Sequence, residues 1–146
     1  MHGERRRGLL DTNILILRRG IAAERLPDDV AVSAVTLAEL AAGVHLVAGD
    51  DADARAERAR RTDVLQRAEN EFDPLPFDAE AARIYGRLAA AVHSLGRTPR
   101  RRVADLMIAA TAAANELPLW TTNPADFAGL GDVVEIVPVD RPTAAP

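Results

Sequence analysis

Apolar positions follow two rhythms along this chain. Short unbroken runs alternate with stretches in which Leu, Ile, Val and Ala return every three or four residues. Gly8-Leu9-Leu10 runs through Asp11-Thr12-Asn13 into Ile14-Leu15-Ile16-Leu17, which predicts a buried strand, a polar turn and the first turn of a helix. Val30-Ala31-Val32 predicts a second strand ending at Ser33. A helix is expected from about Thr36, with Leu37, Leu40, Val44 and Val47 on one face. Residues 53–71 are charged and alanine-rich, with Val64, Leu65 and Ala68 on one side, and predict an amphipathic helix. Asp73-Pro74-Leu75-Pro76-Phe77 breaks it. Asp78 suits the N-cap of a helix carrying Ala81, Ile84, Tyr85, Leu88 and Val92, ended by Gly96. An Arg-rich loop spans 97–102, and 103–115 predict an apolar helix buried on most faces. Leu117–Thr121 reads as a strand, Asn123-Pro124 as a turn and 133–139 as a final strand.

Strands alternating with helices imply parallel pairing. The expected fold is α/β, a three-layer α/β/α sandwich with a central, mainly parallel sheet. Residues 1–140 are expected to form one domain, with 141–146 a disordered tail. The length of 146 residues suits one core. No internal repeat or dividing linker is present. Asp11 and Asn13 interrupt the apolar stretch behind Arg5-Arg6-Arg7 and no small-residue cleavage site follows, so a signal peptide is not expected. No run spans a bilayer, and a cytoplasmic location is expected.

Composition narrows the chemistry. The absence of cysteine excludes disulfide frameworks, Cys-ligated zinc, iron–sulfur clusters and thiol nucleophiles. All 18 basic residues are Arg, which removes Schiff-base chemistry and the Lys of P-loop and receiver sites. Aromatics are only 3%, too few for a base-stacking platform. A net charge of −4 gives no global attraction to nucleic acid, so any such binding needs a local patch.

Open parallel sheets bind ligands at the carboxyl ends of their strands, which singles out four acids. Asp11 follows the first strand and Asp126 the strand at 117–121. Glu39 opens the helix after the second strand, and Asp105 lies in the first turn of the buried helix. Each also has a structural alternative. Asp11 could cap a turn, Thr36 and Glu39 could form a capping box, Asp105 could complement a helix dipole, and Asp126 could cap the turn before Phe127. Singly, the structural alternative is preferred for Glu39 and Asp126 and evenly matched for Asp11 and Asp105. Asp105 stands among Val103, Ala104, Leu106, Met107, Ile108 and Ala109, where a carboxylate needs a partner.

Four segments occur in a telling order: Leu9-Leu10-Asp11-Thr12-Asn13-Ile14-Leu15-Ile16, Ser33-Ala34-Val35-Thr36-Leu37-Ala38-Glu39-Leu40-Ala41-Ala42-Gly43, Ala104-Asp105-Leu106-Met107-Ile108-Ala109-Ala110-Thr111-Ala112, and Thr121-Thr122-Asn123-Pro124-Ala125-Asp126-Phe127. Together they resemble the PIN-domain family, and more closely the VapC-like toxins of bacterial toxin–antitoxin pairs. The resemblance covers nearly the whole chain. It implies a metal-dependent endoribonuclease with Asp11, Glu39, Asp105 and Asp126 around the metal. It further implies support by hydrogen bonds from Thr12, Asn13, Thr122 and Asn123, a homodimer, and an antitoxin whose tail covers the acidic groove. Thr122 stands where many relatives have Arg, a departure that touches a substrate contact and leaves the metal site intact.

The residue types agree with that implication. Convergent carboxylates with no Cys and no suitably placed His form an all-oxygen site, suited to Mg²⁺ or Mn²⁺. Such an ion acidifies water and offsets charge on phosphate oxygens; Asp126 or Glu39 is the candidate general base. Arg97, Arg100, Arg101 and Arg102, just before Asp105, are candidate RNA-phosphate contacts, with a solvated loop as the alternative. His2, His45 and His93 share no motif, Trp120 suits the core, and Arg55, Arg58, Arg60 and Arg61 alternate with acids as a solvated helix face. Competing functions are a housekeeping phosphodiesterase of the same fold and a non-catalytic interaction module. A receiver domain shares a strand-end Asp but needs a Lys.

Overall fold

The computed structural model describes residues 5–143, the side chain of Arg101 excepted. His2 and the last three residues of the expected tail lie outside the described residues. Among those described, four strands form one parallel sheet in the order β2-β1-β3-β4: β1 (Arg7–Leu10), β2 (Asp29–Ala31), β3 (Leu119–Thr121) and β4 (Ile136–Pro138). Helices α1 (Thr12–Leu17), α2 (Ala34–His45), α3 (Ala52–Glu71), α4 (Ala79–Ser94) and α5 (Val103–Ala114) complete it.

Strand alternation divides the core in two. Leu9 and Leu119 point to one side, where Ile84 and Leu88 of α4 and Leu106 and Ile108 of α5 meet them. Leu10 and Trp120 point to the other, against Ile14 of α1, Leu40 of α2 and Ala68 of α3. This is the three-layer sandwich expected, and β1 is buried on both faces because it is central. Helix α5 is sealed by small side chains: Ala109, Ala110, Thr111 and Ala112 are all fully buried, so α4 can lie close against it.

Several boundaries differ from the periodicity. Helix α2 starts at Ala34 because Ser33 caps it, its hydroxyl accepting from the Val35 N–H at 3.0 Å. Thr36 is therefore inside the helix and fully buried, so it forms no capping box with Glu39; Val47 lies beyond the helix end. The breaker at 73–77 contributes an isolated bridge from Leu75 to Ser33 at the β2 edge. The last strand is shorter than expected, since Val133 and Val134 belong to the turn before it. The Arg-rich loop tightens into a 3₁₀ turn, Pro99–Arg102. Beyond β4, Asp140 pairs with Arg25 at 3.1 Å and Arg141 donates to the Asn123 side-chain oxygen.

Candidate active site

Strand order reverses between β1 and β3: the chain moves outward from β1 to β2, then returns to β3 on the other side. A crevice opens at the carboxyl ends of the strands where such a reversal occurs. Asp11 sits at that point. Its backbone N–H donates to the Trp120 carbonyl at 2.9 Å, which continues the β1–β3 pairing one residue past the strand. Its carboxylate accepts from the Thr12 N–H at 2.9 Å, capping α1, and from the Thr121 hydroxyl at 2.8 Å. Both bonds favour the charged form, yet burial outweighs them and raises the Asp11 carboxyl above its ordinary value, with Asp126 adding repulsion.

Glu39 reaches the site through Thr12, whose hydroxyl donates to Glu39 Oε1 at 2.6 Å and lies 3.0 Å from the Thr36 hydroxyl. This chain ties the start of α1 to the second turn of α2. Asp105 is half-buried in the first turn of α5. Burial, followed by repulsion from Asp11, Asp126 and Glu39, pushes its carboxyl up to about 6, and Arg102 alone opposes that rise. The other three predicted acids are thus all within electrostatic reach of Asp105. Asp126, on the 3₁₀ turn Pro124–Phe127, is half-buried, and Arg102 Nη1 reaches its Oδ1 at 3.2 Å and its carbonyl at 2.9 Å.

The supporting residues sort unevenly. Thr12 braces the site as expected, and Asn13 lines the groove beside Asp11. The Thr122 hydroxyl is buried without a partner, and the Asn123 side chain engages Arg141. Sequence reasoning missed Thr121, which holds Asp11, and Thr36, which flanks Thr12. Strand alternation was the available signal for Thr121, two residues after Leu119 and on the same face. Of the Arg cluster, Arg100 is exposed and Arg97 half-buried, while Arg102 turns inward to Asp126. His45 and His93 are exposed at helix ends. Trp120 is core.

A groove of about 950 Å³ runs from Asp11, Glu39 and Asp105 along α1 and α3. Its floor includes Leu15, Leu40, Val64 and Phe72, and its rim carries both charges, including Arg18, Arg60, Arg61, Arg67, Glu57 and Glu71. Arg60 and Arg61 both bind Glu57, so this face of α3 is solvated and also borders the site.

No three of the described His, Asp and Glu residues stand close enough to form a ready-made metal cluster. The donor set nevertheless fits a hard cation. It is all oxygen, and repulsion from Asp11, Asp126 and Glu39 adds to burial in raising the Asp105 carboxyl. Mg²⁺ retains several waters and takes one or two carboxylates directly, so it tolerates acids spaced this widely.

Fold and site coincide with a known family. Residues 8–133 match the PIN domain, and the chain belongs to that family. Within it, the chain is 39% identical to Ribonuclease VapC5 of Mycobacterium tuberculosis, over 90% of this chain and 95% of that protein. Ribonuclease VapC8 of the same species is 39% identical over 72% of this chain and 89% of that protein. The crystal structure described as VapBC-5 from Mycobacterium tuberculosis, a member of the VapBC family of toxin-antitoxin systems, matches with a TM-score of 0.73 and 36% identity, covering 92% of this chain and 98% of that one.

Proposed function

We propose that this protein is a Mg²⁺- or Mn²⁺-dependent endoribonuclease and the toxin of a cytoplasmic toxin–antitoxin pair. The observation that carries the reading is the gathering of Asp11, Glu39, Asp105 and Asp126 at the β1–β3 switch point of a PIN domain. Relatives named as VapC ribonucleases supply the substrate class.

Asp11 and Asp105 would hold the divalent ion, with Glu39 and Asp126 supplying further negative charge beside it. The ion supplies Lewis acidity toward water and phosphate oxygens. Thr121 and the Thr12 N–H fix the Asp11 carboxylate so that it does not rotate. The Thr12 hydroxyl orients Glu39 by occupying its Oε1. Asp126 is the general base: Arg102 engages Oδ1, and Oδ2 accepts the proton as water adds to phosphorus and the bond to the leaving sugar oxygen breaks, that oxygen taking its proton from solvent. Arg97 and Arg100 contact RNA phosphate.

A VapB-like antitoxin occupies the groove beside the acids. Its apolar floor and mixed-charge rim suit an amphipathic segment, and toxin-antitoxin complexes are among the matching structures. The active form is a homodimer. Retention of all four acids argues against a non-catalytic module. Cleavage of a single-stranded RNA panel by the purified protein tests the reading. Activity is expected with Mg²⁺ or Mn²⁺, absent in EDTA and absent in Asp105→Asn. Undiminished cleavage in EDTA overturns the metal dependence.

A further inference from the structure

Arg102 ends the 3₁₀ turn Pro99–Arg102 and is the N-cap position of α5, where its side chain makes no capping bond. A cation there opposes the helix dipole. Helix physics therefore does not account for its inward placement. The acids do: Nη1 donates to the Asp126 carbonyl at 2.9 Å and pairs with Asp126 Oδ1 at 3.2 Å. Asp105 follows three residues later on the same helix. At 27% exposure, Arg102 is the least exposed of the described ion-paired arginines. Arg102 thus pairs directly with Asp126 and lies within Coulombic reach of Asp105.

We propose that Arg102 is the resident counter-cation of the acid cluster, a positioning residue that holds Asp126 in the metal-free protein and competes with the divalent ion for the cluster's charge. This rests on the metal-dependent reading above and replaces the role of RNA donor for Arg102. In the metal-free protein the guanidinium offsets repulsion among the acids. Once a divalent ion is bound, the same positive charge opposes it. Loss of Arg102 therefore harms the metal-free state more than the loaded one, and by linkage that difference appears as tighter metal binding. A residue that only packed, or only touched RNA, would not tighten metal binding when removed.

The test compares wild type, Arg102→Gln and Arg102→Lys by Mn²⁺ calorimetry, by melting in EDTA and in saturating Mn²⁺, and by single-stranded RNA binding over a salt series in EDTA. Arg102→Gln is expected to melt about 3 °C lower in EDTA, with the gap narrowing in Mn²⁺. It should bind Mn²⁺ about fivefold more tightly. Arg102→Lys, which keeps the charge, should bind Mn²⁺ as wild type does, and the RNA salt slope should not change. Arg102→Met, which keeps the aliphatic stem, replaces the Gln variant if that fails to fold and carries the same expectation. Equal or weaker Mn²⁺ affinity in the neutral variant overturns the proposal, as does a salt slope reduced by about 0.7 at unchanged melting. A wild-type protein that binds no Mn²⁺ overturns the metal site itself, a failure distinct from either.

Discussion

Asp11 is pulled in two directions. Its cleft removes it from water, while Thr121 and the Thr12 N–H stabilise its charge, and burial prevails. Thr121 is fully buried and also accepts from the Asn123 N–H at 3.0 Å, so its hydroxyl joins β1, β3 and the turn that carries Asp126. Thr121→Val keeps the shape and removes both bonds. It should cost about 1–3 kcal/mol in denaturant unfolding and weaken Mn²⁺ binding, whereas unchanged stability would show that water replaces the hydroxyl. Asp105 sets the pH response. Its folded carboxyl titrates at about 6, above the ordinary 3.8, so the folded state holds the proton more tightly than the unfolded chain does. That contribution is complete below about 3.8 and is lost as pH rises through about 6. Metal-free protein should therefore lose melting temperature across that window, and Asp105→Asn, which mimics the protonated form, should flatten the loss. A variant whose melting follows pH as steeply as wild type would assign the dependence elsewhere.

At the scale of elements, short polar residues decide where helices begin and small ones decide which surfaces meet. Ser33 caps α2, and the resulting start at Ala34 brings Thr36 beneath Thr12 and sets Glu39 one turn further on. Ser33→Ala should destabilise the protein by about 1 kcal/mol through the lost cap, read as a lower denaturant midpoint at unchanged slope; a neutral result would place the helix start elsewhere. Gly8 on β1 answers to a different constraint. A Cβ there would fall 2.2 Å from the Trp120 ring, which is 5% exposed and held under Arg6 at 5.4 Å. Gly8→Ala must displace the indole or separate β1 from β3. The cost should be about 1–3 kcal/mol from overpacking, with an altered emission spectrum from the single tryptophan. An unperturbed spectrum at full stability would mean that the ring is loosely held.

For the whole molecule, the balance of −4 opposes RNA, and the cleft gathers acids. Electrostatic help must therefore come from arginines that are not already paired inward. Arg100 is exposed and Arg97 half-buried, whereas Arg102 is committed to Asp126. Replacing Arg97 and Arg100 with Gln should weaken RNA binding and lower the log–log salt slope by about 0.7 for each lost phosphate contact. The stabilisation by Mn²⁺ should persist, because neither residue is a metal donor. An unaltered slope would move the RNA path to another face, such as the arginine-bearing rim along α3.

How much of this was legible in the chain differs by scale for a physical reason. Local chemistry alone determined the alternation of strands and helices, the cap at Asp78, the stop at Gly96 and the apolar helix around Asp105, because periodicity and turn residues act over a few positions, whereas the four acids were singled out together by the order of the four segments that carry them. The tertiary structure decided what lies far apart in sequence. Thr121 meets Asp11 at a separation of 110 positions, and the 24-position separation of Arg102 and Asp126 takes in a whole helix and a strand. Neither contact has a local signature; each exists only because β3 inserts beside β1 and reverses the strand order. The same long-range packing brought Arg102, which the sequence offered as a loop charge, onto Asp126.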